Sequence, residues 1–218
     1  MGGSQIFTTW AAVGGLVFVA VAVVVNVIYV RARLPLPVAG KPLAAVITDF
    51  DSAGDRLPWP SVVVPTGWLG ITVFAAGMTS IAWDAAVDSR MWALVGFAGV
   101  MLQNASFAIV EALRFGLAAA ARLEPSAVAG LWAFSNVLFG FNQLFLATAL
   151  IGFTAASASI APEWLAIVGY LSAAALFIAA SASPFNARGA SRTALLGLIG
   201  WLGWMIWIAG HCVVMVTR

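Results

Sequence analysis

The chain has 218 residues, of which 63% are hydrophobic and only 8% are charged. A soluble domain carries about 25% charged residues. This composition excludes a soluble enzyme, a nucleic-acid-binding protein, a disordered regulator and a disulfide scaffold. It predicts an integral membrane protein whose main partner is the lipid bilayer. The formal net charge of +2 reflects few ionisable groups rather than a basic patch.

Six stretches of the chain are long and apolar enough to cross a membrane as helices. A helix needs about 20 apolar residues to span the hydrocarbon layer. The stretches lack the alternation and the short spacing of the strands of an outer-membrane barrel. We therefore predict an all-α bundle of six transmembrane helices, with residues 1–218 as one domain. The predicted spans are 7–30, 65–83, 91–121, 126–156, 163–182 and 193–216.

The distribution of basic residues predicts the orientation of the bundle. Short cytoplasmic loops carry an excess of Lys and Arg. With the N-terminus outside, the cytoplasmic side receives Arg31, Arg33, Lys41, Arg56, Arg114, Arg122, Arg188 and Arg192, and the outside receives Arg90 and Arg218. Both termini are thus predicted to lie outside. The first apolar run is too long for a signal peptide and is interpreted as an uncleaved span.

Arginine outnumbers lysine nine to one, and Ala, Val and Gly are abundant. This bias is typical of proteins from high-GC bacterial genomes. The expected location is therefore a bacterial cytoplasmic membrane, which the chain crosses several times.

Residues 31–64 form the only long connection between spans and contain several Pro and Gly residues. Helical spacing separates four of its apolar residues, which are Leu43, Val46, Ile47 and Phe50. This spacing predicts a short amphipathic helix on the inner membrane surface. Three carboxylates lie nearby, at Asp49, Asp51 and Asp55. They indicate either a cation site or gating loop, or a linker whose acidic residues face water.

The third span carries the ionisable pair Glu111 and Arg114. Charged groups inside a membrane are costly and are functional hypotheses by default. Their i, i+3 spacing places both on one helix face, where they can neutralise each other.

A turn of about four residues joins these two spans, so we expect them to pack as an antiparallel hairpin. Residues equidistant from the turn then lie at the same depth. Asn104 falls opposite Gln143, and Glu111 falls opposite Asn136. We predict a polar ladder of these two pairs between the helices, with Arg114 completing it. The ladder is either interhelical packing or a functional site.

The sixth span places Trp204, Trp207 and His211 on one broad face. This face is a candidate aromatic pocket for a lipid, quinone or isoprenoid, or alternatively a packing stripe. His211 is also expected within hydrogen-bond reach of Asp84 or Asp88, at the outer end of the bundle.

One Cys and one His cannot build a zinc site, which needs three or four protein ligands. No metal and no cofactor are predicted. No nucleophile beside a base and no phosphate-binding loop are readable, so no catalytic residue is assigned and enzymatic activity is left open.

Two functions fit these features. The first is a transporter, channel or accessory membrane subunit that uses the polar hairpin, with another membrane protein or a second copy as possible partner. The second is an intramembrane enzyme acting on a lipid or isoprenoid, with Glu111 as general acid or base.

Overall fold

The computed structural model describes residues 3–37, 40–84, 86–188 and 193–217. It is all-helical, with 87% helix and no strand in the described part of the chain. Its helices are α1 (Gly3–Arg31), α2 (Leu43–Ala53), α3 (Pro58–Ser61), α4 (Val64–Trp83), α5 (Val87–Leu123), α6 (Val128–Ala156), α7 (Glu163–Ser181) and α8 (Ala194–Val216). Short 3₁₀ turns cover Pro125–Ala127 and Ser183–Arg188.

Six of these helices, α1 and α4 to α8, are long and apolar enough to cross a membrane. They coincide with the six predicted spans, and they fit a polytopic membrane protein. Insertion and the orientation of the termini stay predictions. Arg192 and Arg218, which enter the orientation argument, lie outside the described residues.

The six long helices form a closed ring in chain order. Each packs against its neighbours in the sequence, and α8 closes the ring against α1. Short connections between successive helices favour this antiparallel arrangement. Fully buried side chains fill the centre of the ring, among them Ile71, Phe74, Leu150, Phe153 and Trp207.

Glycine allows the closest approach of helices at two places in the ring. A Cβ added to Gly14 of α1 would lie 2.6 Å from the carbonyl oxygen of Gly70 in α4. A Cβ added to Gly152 of α6 would lie 2.2 Å from the backbone nitrogen of Gly96 in α5. Without side chains at these positions, the helix backbones pack directly on each other, as small residues allow in lipid.

The connection between α1 and α4 is folded onto one end of the bundle, which we call the α2 end. With 37 residues, α5 is about 55 Å long, far more than a hydrocarbon layer of about 30 Å. The α5–α6 hairpin thus extends past the ring at the α2 end. There α2 packs its apolar face on the hairpin, with the rings of Phe50 and Trp132 6.2 Å apart. The loop is a docked element, and whether α2 also lies on a membrane surface stays a prediction.

Candidate functional site

The buried carboxylate of Glu111 is the centre of a polar cluster near the α2 end. Glu111 lies on α5 and is 6% exposed. Its Oε1 accepts hydrogen bonds from the Tyr29 hydroxyl, at 2.6 Å, and from the Ser61 hydroxyl. Its Oε2 is paired with the guanidinium of Arg114. We call these four residues the carboxylate cluster.

The carboxylate cluster joins three separate segments of the chain. Tyr29 lies in the last turn of α1, and Ser61 ends the short helix α3, whose first turn contains Pro58 and Pro60. The Arg114 guanidinium also lies over the Tyr29 ring, 4.3 Å from its centroid. A guanidinium in this position is attracted by the face of the ring. Tyr29 therefore contacts both members of the ion pair.

The structure contradicts the predicted polar ladder. The Asn104 amide nitrogen donates to Thr72 Oγ1 at 3.0 Å and to the Trp68 carbonyl at 3.3 Å, both on α4. Gln143 lies instead against α8, where a Cβ on Gly197 would be 2.4 Å from its amide nitrogen.

The second predicted pair fails as well. Glu111 accepts its hydrogen bonds from Tyr29 of α1 and Ser61 of α3, and not from Asn136. Asn136 is fully buried on α6. Of the five residues predicted for the polar site, only Glu111 and Arg114 are joined to each other within the described part of the chain.

The hairpin has nearly the predicted depth register but a different rotation of its helices. Ser106 of α5 donates to the Asn142 side-chain oxygen of α6 at 2.8 Å. The predicted ladder residues are equidistant from the turn, and Ser106 and Asn142 differ from that by one position. Each lies one or two positions along its helix from a predicted ladder residue. Since each position turns the side chain by roughly 100° around the helix axis, the two residues lie on a different helix face from the predicted one. The close backbone contact at Gly96 and Gly152 selects this face.

A cavity of about 60 Å³ lies inside the ring and reaches the carboxylate cluster. Five of the six long helices line it, namely α1, α4, α5, α6 and α8. Glu111, Arg114 and Tyr29 line its end nearest α2. The volume exceeds the roughly 10–15 Å³ that a single water needs. The buried carboxylate thus borders a space in which water fits.

Two further polar atoms that line this cavity lack hydrogen-bond partners among the described residues. They are Oε1 of Gln103, which is 4% exposed, and the indole nitrogen of Trp204, which is fully buried. One accepts and the other donates. Buried polar groups are normally satisfied by protein or by ordered water. These two atoms therefore favour a hydrated cavity over a dry one.

The predicted aromatic residues pack together in the core. Trp204 stacks on Trp207, with centroids 5.5 Å apart, and Trp207 lies 3.9 Å from the His211 ring. Phe74 and Phe153 contact Trp207 from α4 and α6. Only Trp204 of the three candidates lines the cavity.

The prediction that His211 pairs with Asp84 or Asp88 is wrong. His211 Nδ1 lies 3.0 Å from the Trp207 carbonyl oxygen, and Nε2 lies 3.1 Å from Ser157 Oγ. A carbonyl oxygen can only accept, so Nδ1 carries a hydrogen. The histidine follows the tryptophans into the core because it lies one turn beyond Trp207 on the same face, while both aspartates are exposed.

The carboxylates of the α2 region face basic side chains. Asp49 pairs with Lys41 at 2.6 Å. Asp55 and Asp51 pair with Arg122 of α5, at 2.9 and 3.4 Å. The hydrogen bond from Arg122, and then its charge, lower the pKa of Asp55. The two pairs with Arg122 attach α2 and the residues after it to the hairpin, and no group of metal-ligating residues is found in the described chain.

Sequence reasoning missed Tyr29 and Ser61, and it did not assign Gln103, a polar residue of the third span, to the site. Tyr29 is one of only two tyrosines, and it comes two residues before the first arginine. That position could have flagged it, but nothing near Ser61 points to a carboxylate 50 residues away.

No family model, no curated protein and no solved structure matches this chain. The function is therefore argued from the geometry of the cavity and the carboxylate cluster.

Proposed function

We propose that this chain is a proton-translocating transporter or channel subunit of the bacterial cytoplasmic membrane, with both termini outside. In this proposal Glu111 takes up and releases the proton. The observation that carries it is the cavity on the axis of the ring, which ends on the buried Glu111–Arg114 pair.

The size of the cavity favours water and protons over a large solute. A single water needs about 10–15 Å³ of such a cavity, so about 60 Å³ holds a few waters. Gln103 and Trp204 offer these waters an acceptor and a donor, about 12 Å along α5 from Glu111. Beyond them, the packed rings of Phe74, Phe153 and Trp207 fill the core. This arrangement fits a carrier whose path is closed on the side away from α2.

The carboxylate cluster can act as a protonation-dependent latch. As a carboxylate, Glu111 holds Arg114 and accepts hydrogen bonds from two hydroxyls. A proton on Glu111 neutralises the carboxyl, and the attraction to Arg114 is lost. Arg114 also lines the cavity, so its release from Glu111 changes the electrostatic potential inside the cavity. Proton uptake is thereby coupled to a rearrangement of the carboxylate cluster, where α1, α3 and α5 meet.

The alternative of an intramembrane enzyme gains less support from the geometry. The cavity has no room for an isoprenoid or a lipid chain, since pockets for drug-sized ligands have volumes of about 300–1,000 Å³.

Proton uptake into vesicles tests the proposal. The purified protein is reconstituted into liposomes that contain a pH-sensitive dye, and a potassium diffusion potential drives protons inward. We expect uptake above that of protein-free vesicles, and we expect Glu111→Gln to reduce it to the protein-free rate. Glu163→Gln is the matched control, because Glu163 begins α7 at the end of the bundle away from α2 and is exposed.

A second variant separates a functional loss from a folding defect. Gln103→Leu removes a polar atom from the cavity and leaves the Glu111–Arg114 pair in place. We expect it to keep the folded structure and to slow uptake. Wild-type vesicles that take up protons no faster than empty ones would overturn the proposal, as would full uptake by a folded Glu111→Gln variant.

A further inference from the structure

A second pocket, of about 250 Å³, lies between the end of α1 and the α2–α3 segment. Its walls are mostly apolar, formed by Ile28, Leu34, Leu57 and Pro60. Arg31 and Arg56 also line it, and no acidic residue does. The pocket therefore combines an apolar interior with two cationic side chains.

The two arginines are not neutralised by the protein. Both are exposed, and neither forms an ion pair within the described part of the chain. The nearby carboxylates are engaged elsewhere, since Asp49 pairs with Lys41 and Asp55 pairs with Arg122. The pocket thus presents a net positive charge to whatever enters it.

The position of the pocket matches the boundary between hydrocarbon and water. It lies where the apolar helix α1 ends at Arg31. Trp59, next to the wall residue Pro60, is 82% exposed. Exposed tryptophans and arginines at the ends of apolar helices are typical of the headgroup layer.

We propose that this pocket binds the headgroup of an anionic phospholipid. Arg31 and Arg56 hold the phosphate, and the apolar walls receive the first carbons of the acyl chains. Basic pockets between helices on the cytoplasmic side are recognised by anionic headgroups in this way. A soluble phosphate compound would meet the same arginines, but it would gain nothing from the apolar walls.

Tyr29 connects this lipid pocket to the carboxylate cluster. Its side chain lines both the lipid pocket and the cavity inside the ring, and its hydroxyl donates to Glu111. A bound lipid would press on the ring that also contacts Arg114. The lipid is thus placed one side chain away from the buried ion pair.

Native mass spectrometry with matched lipids tests the proposal. The protein in detergent is titrated with phosphatidylglycerol or phosphatidylcholine of identical acyl chains, and retained adducts are counted. We expect phosphatidylglycerol to be retained preferentially. Arg31→Gln and Arg56→Gln should each weaken its binding about fivefold, and the double variant about 30-fold, which corresponds to about 1 kcal/mol per basic side chain.

Two further variants distinguish the pocket from general surface charge. Arg33→Gln removes the same charge two residues from Arg31, but Arg33 does not line the pocket, so this variant should bind as the wild type does. Ala32→Phe keeps every charge and fills the pocket, so this variant should lose the preference for phosphatidylglycerol over phosphatidylcholine. Equal losses from Arg33→Gln and Arg31→Gln would overturn the proposal. Displacement of the lipid by millimolar glycerol phosphate would also overturn it, in favour of a soluble ligand.

Discussion

Glu111 and His211 are two ionisable side chains that apolar helices bury almost completely, with 6% and 2% exposure. Their surroundings differ. Glu111 is held by groups from α1 and α3 and by Arg114 of its own helix, and it borders a cavity. His211 is held by the Trp207 carbonyl of its own helix and by Ser157, and its ring packs against that of Trp207.

The comparison shows that burial alone does not mark a functional group. A histidine that carries one hydrogen and uses both ring nitrogens needs no counter-ion and packs as an aromatic core residue. A carboxylate needs compensation for its charge, because an uncompensated buried ion is very costly. Only the carboxylate has both a counter-ion and a bordering cavity, the two features on which the proposed proton uptake depends.

The largest expected effect comes from breaking the buried ion pair. Arg114→Gln leaves the Glu111 charge buried without its counter-charge, so we expect it to lower the free energy of unfolding by about 3–5 kcal/mol. Unfolding in mixed detergent micelles measures this loss.

The double variant Glu111→Gln/Arg114→Gln is the control for that prediction. It removes both charges and keeps side chains that form hydrogen bonds. It should recover most of the lost stability, since replacing a whole buried pair is often close to neutral. Equal stability of the single and double variants would show that an unpaired Glu111 carboxylate is not costly, and hence that its charge is not shielded from water.

His211→Phe is expected to have a smaller effect of a different kind. The new ring can still pack against Trp207, but the hydrogen bonds of the histidine to the Trp207 carbonyl and to Ser157 are lost. The expected cost is about 2 kcal/mol, since one hydrogen bond usually contributes about 1 kcal/mol net. Proton uptake in vesicles should remain that of the wild type.

Ser157→Ala should reproduce the part of the His211→Phe effect that comes from the hydrogen bond they share. Combining the two should add little to His211→Phe, because that bond is then already lost. A folded His211→Phe variant that fails to take up protons would contradict the comparison. It would place the histidine in the proton path together with Glu111.

The sequence predicted the apolar helices well because their length and composition follow from membrane thickness. The third predicted span, 91–121, falls inside α5, which extends it to Val87–Leu123. The depth register of the α5–α6 hairpin was also predictable, because the short turn fixes it. The rotation of the helices was not, because it depends on where Gly96 and Gly152 let the backbones meet.

The candidate site was predictable only at its charged centre. Glu111 and Arg114 are conspicuous in an apolar run, and their spacing along one helix indicates a pair. Tyr29 is 82 residues away from Glu111 in the sequence, and its contact depends on how α1 packs in the ring. Such long-range contacts leave no local pattern for sequence reasoning to use.

A second ion pair, exposed and formed by an arginine on the same helix as Glu111, shows what burial adds to the comparison. Arg122 Nη1 donates to Asp55 at 2.9 Å, and the Asp55 side chain is 84% exposed. Water screens such a pair, and exposed pairs contribute little to stability. Asp84 at the opposite end is also exposed and forms no ion pair within the described residues, which makes Asp84→Asn the matched control.

We expect Asp55→Asn to have the smallest effect of the variants considered, and one that depends on pH. Arg122 lowers the pKa of Asp55 from its ordinary value of 3.8. The pair therefore stabilises the folded state above about pH 3.8, and this contribution is lost as the pH falls through the lowered pKa. Unfolding measured from pH 7 down to pH 3 should show a small deficit for Asp55→Asn at neutral pH that shrinks toward the acidic end and in high salt. A deficit as large as that of Arg114→Gln would show that exposure to water does not separate the two pairs, and burial would then no longer explain why Glu111 differs from the other carboxylates.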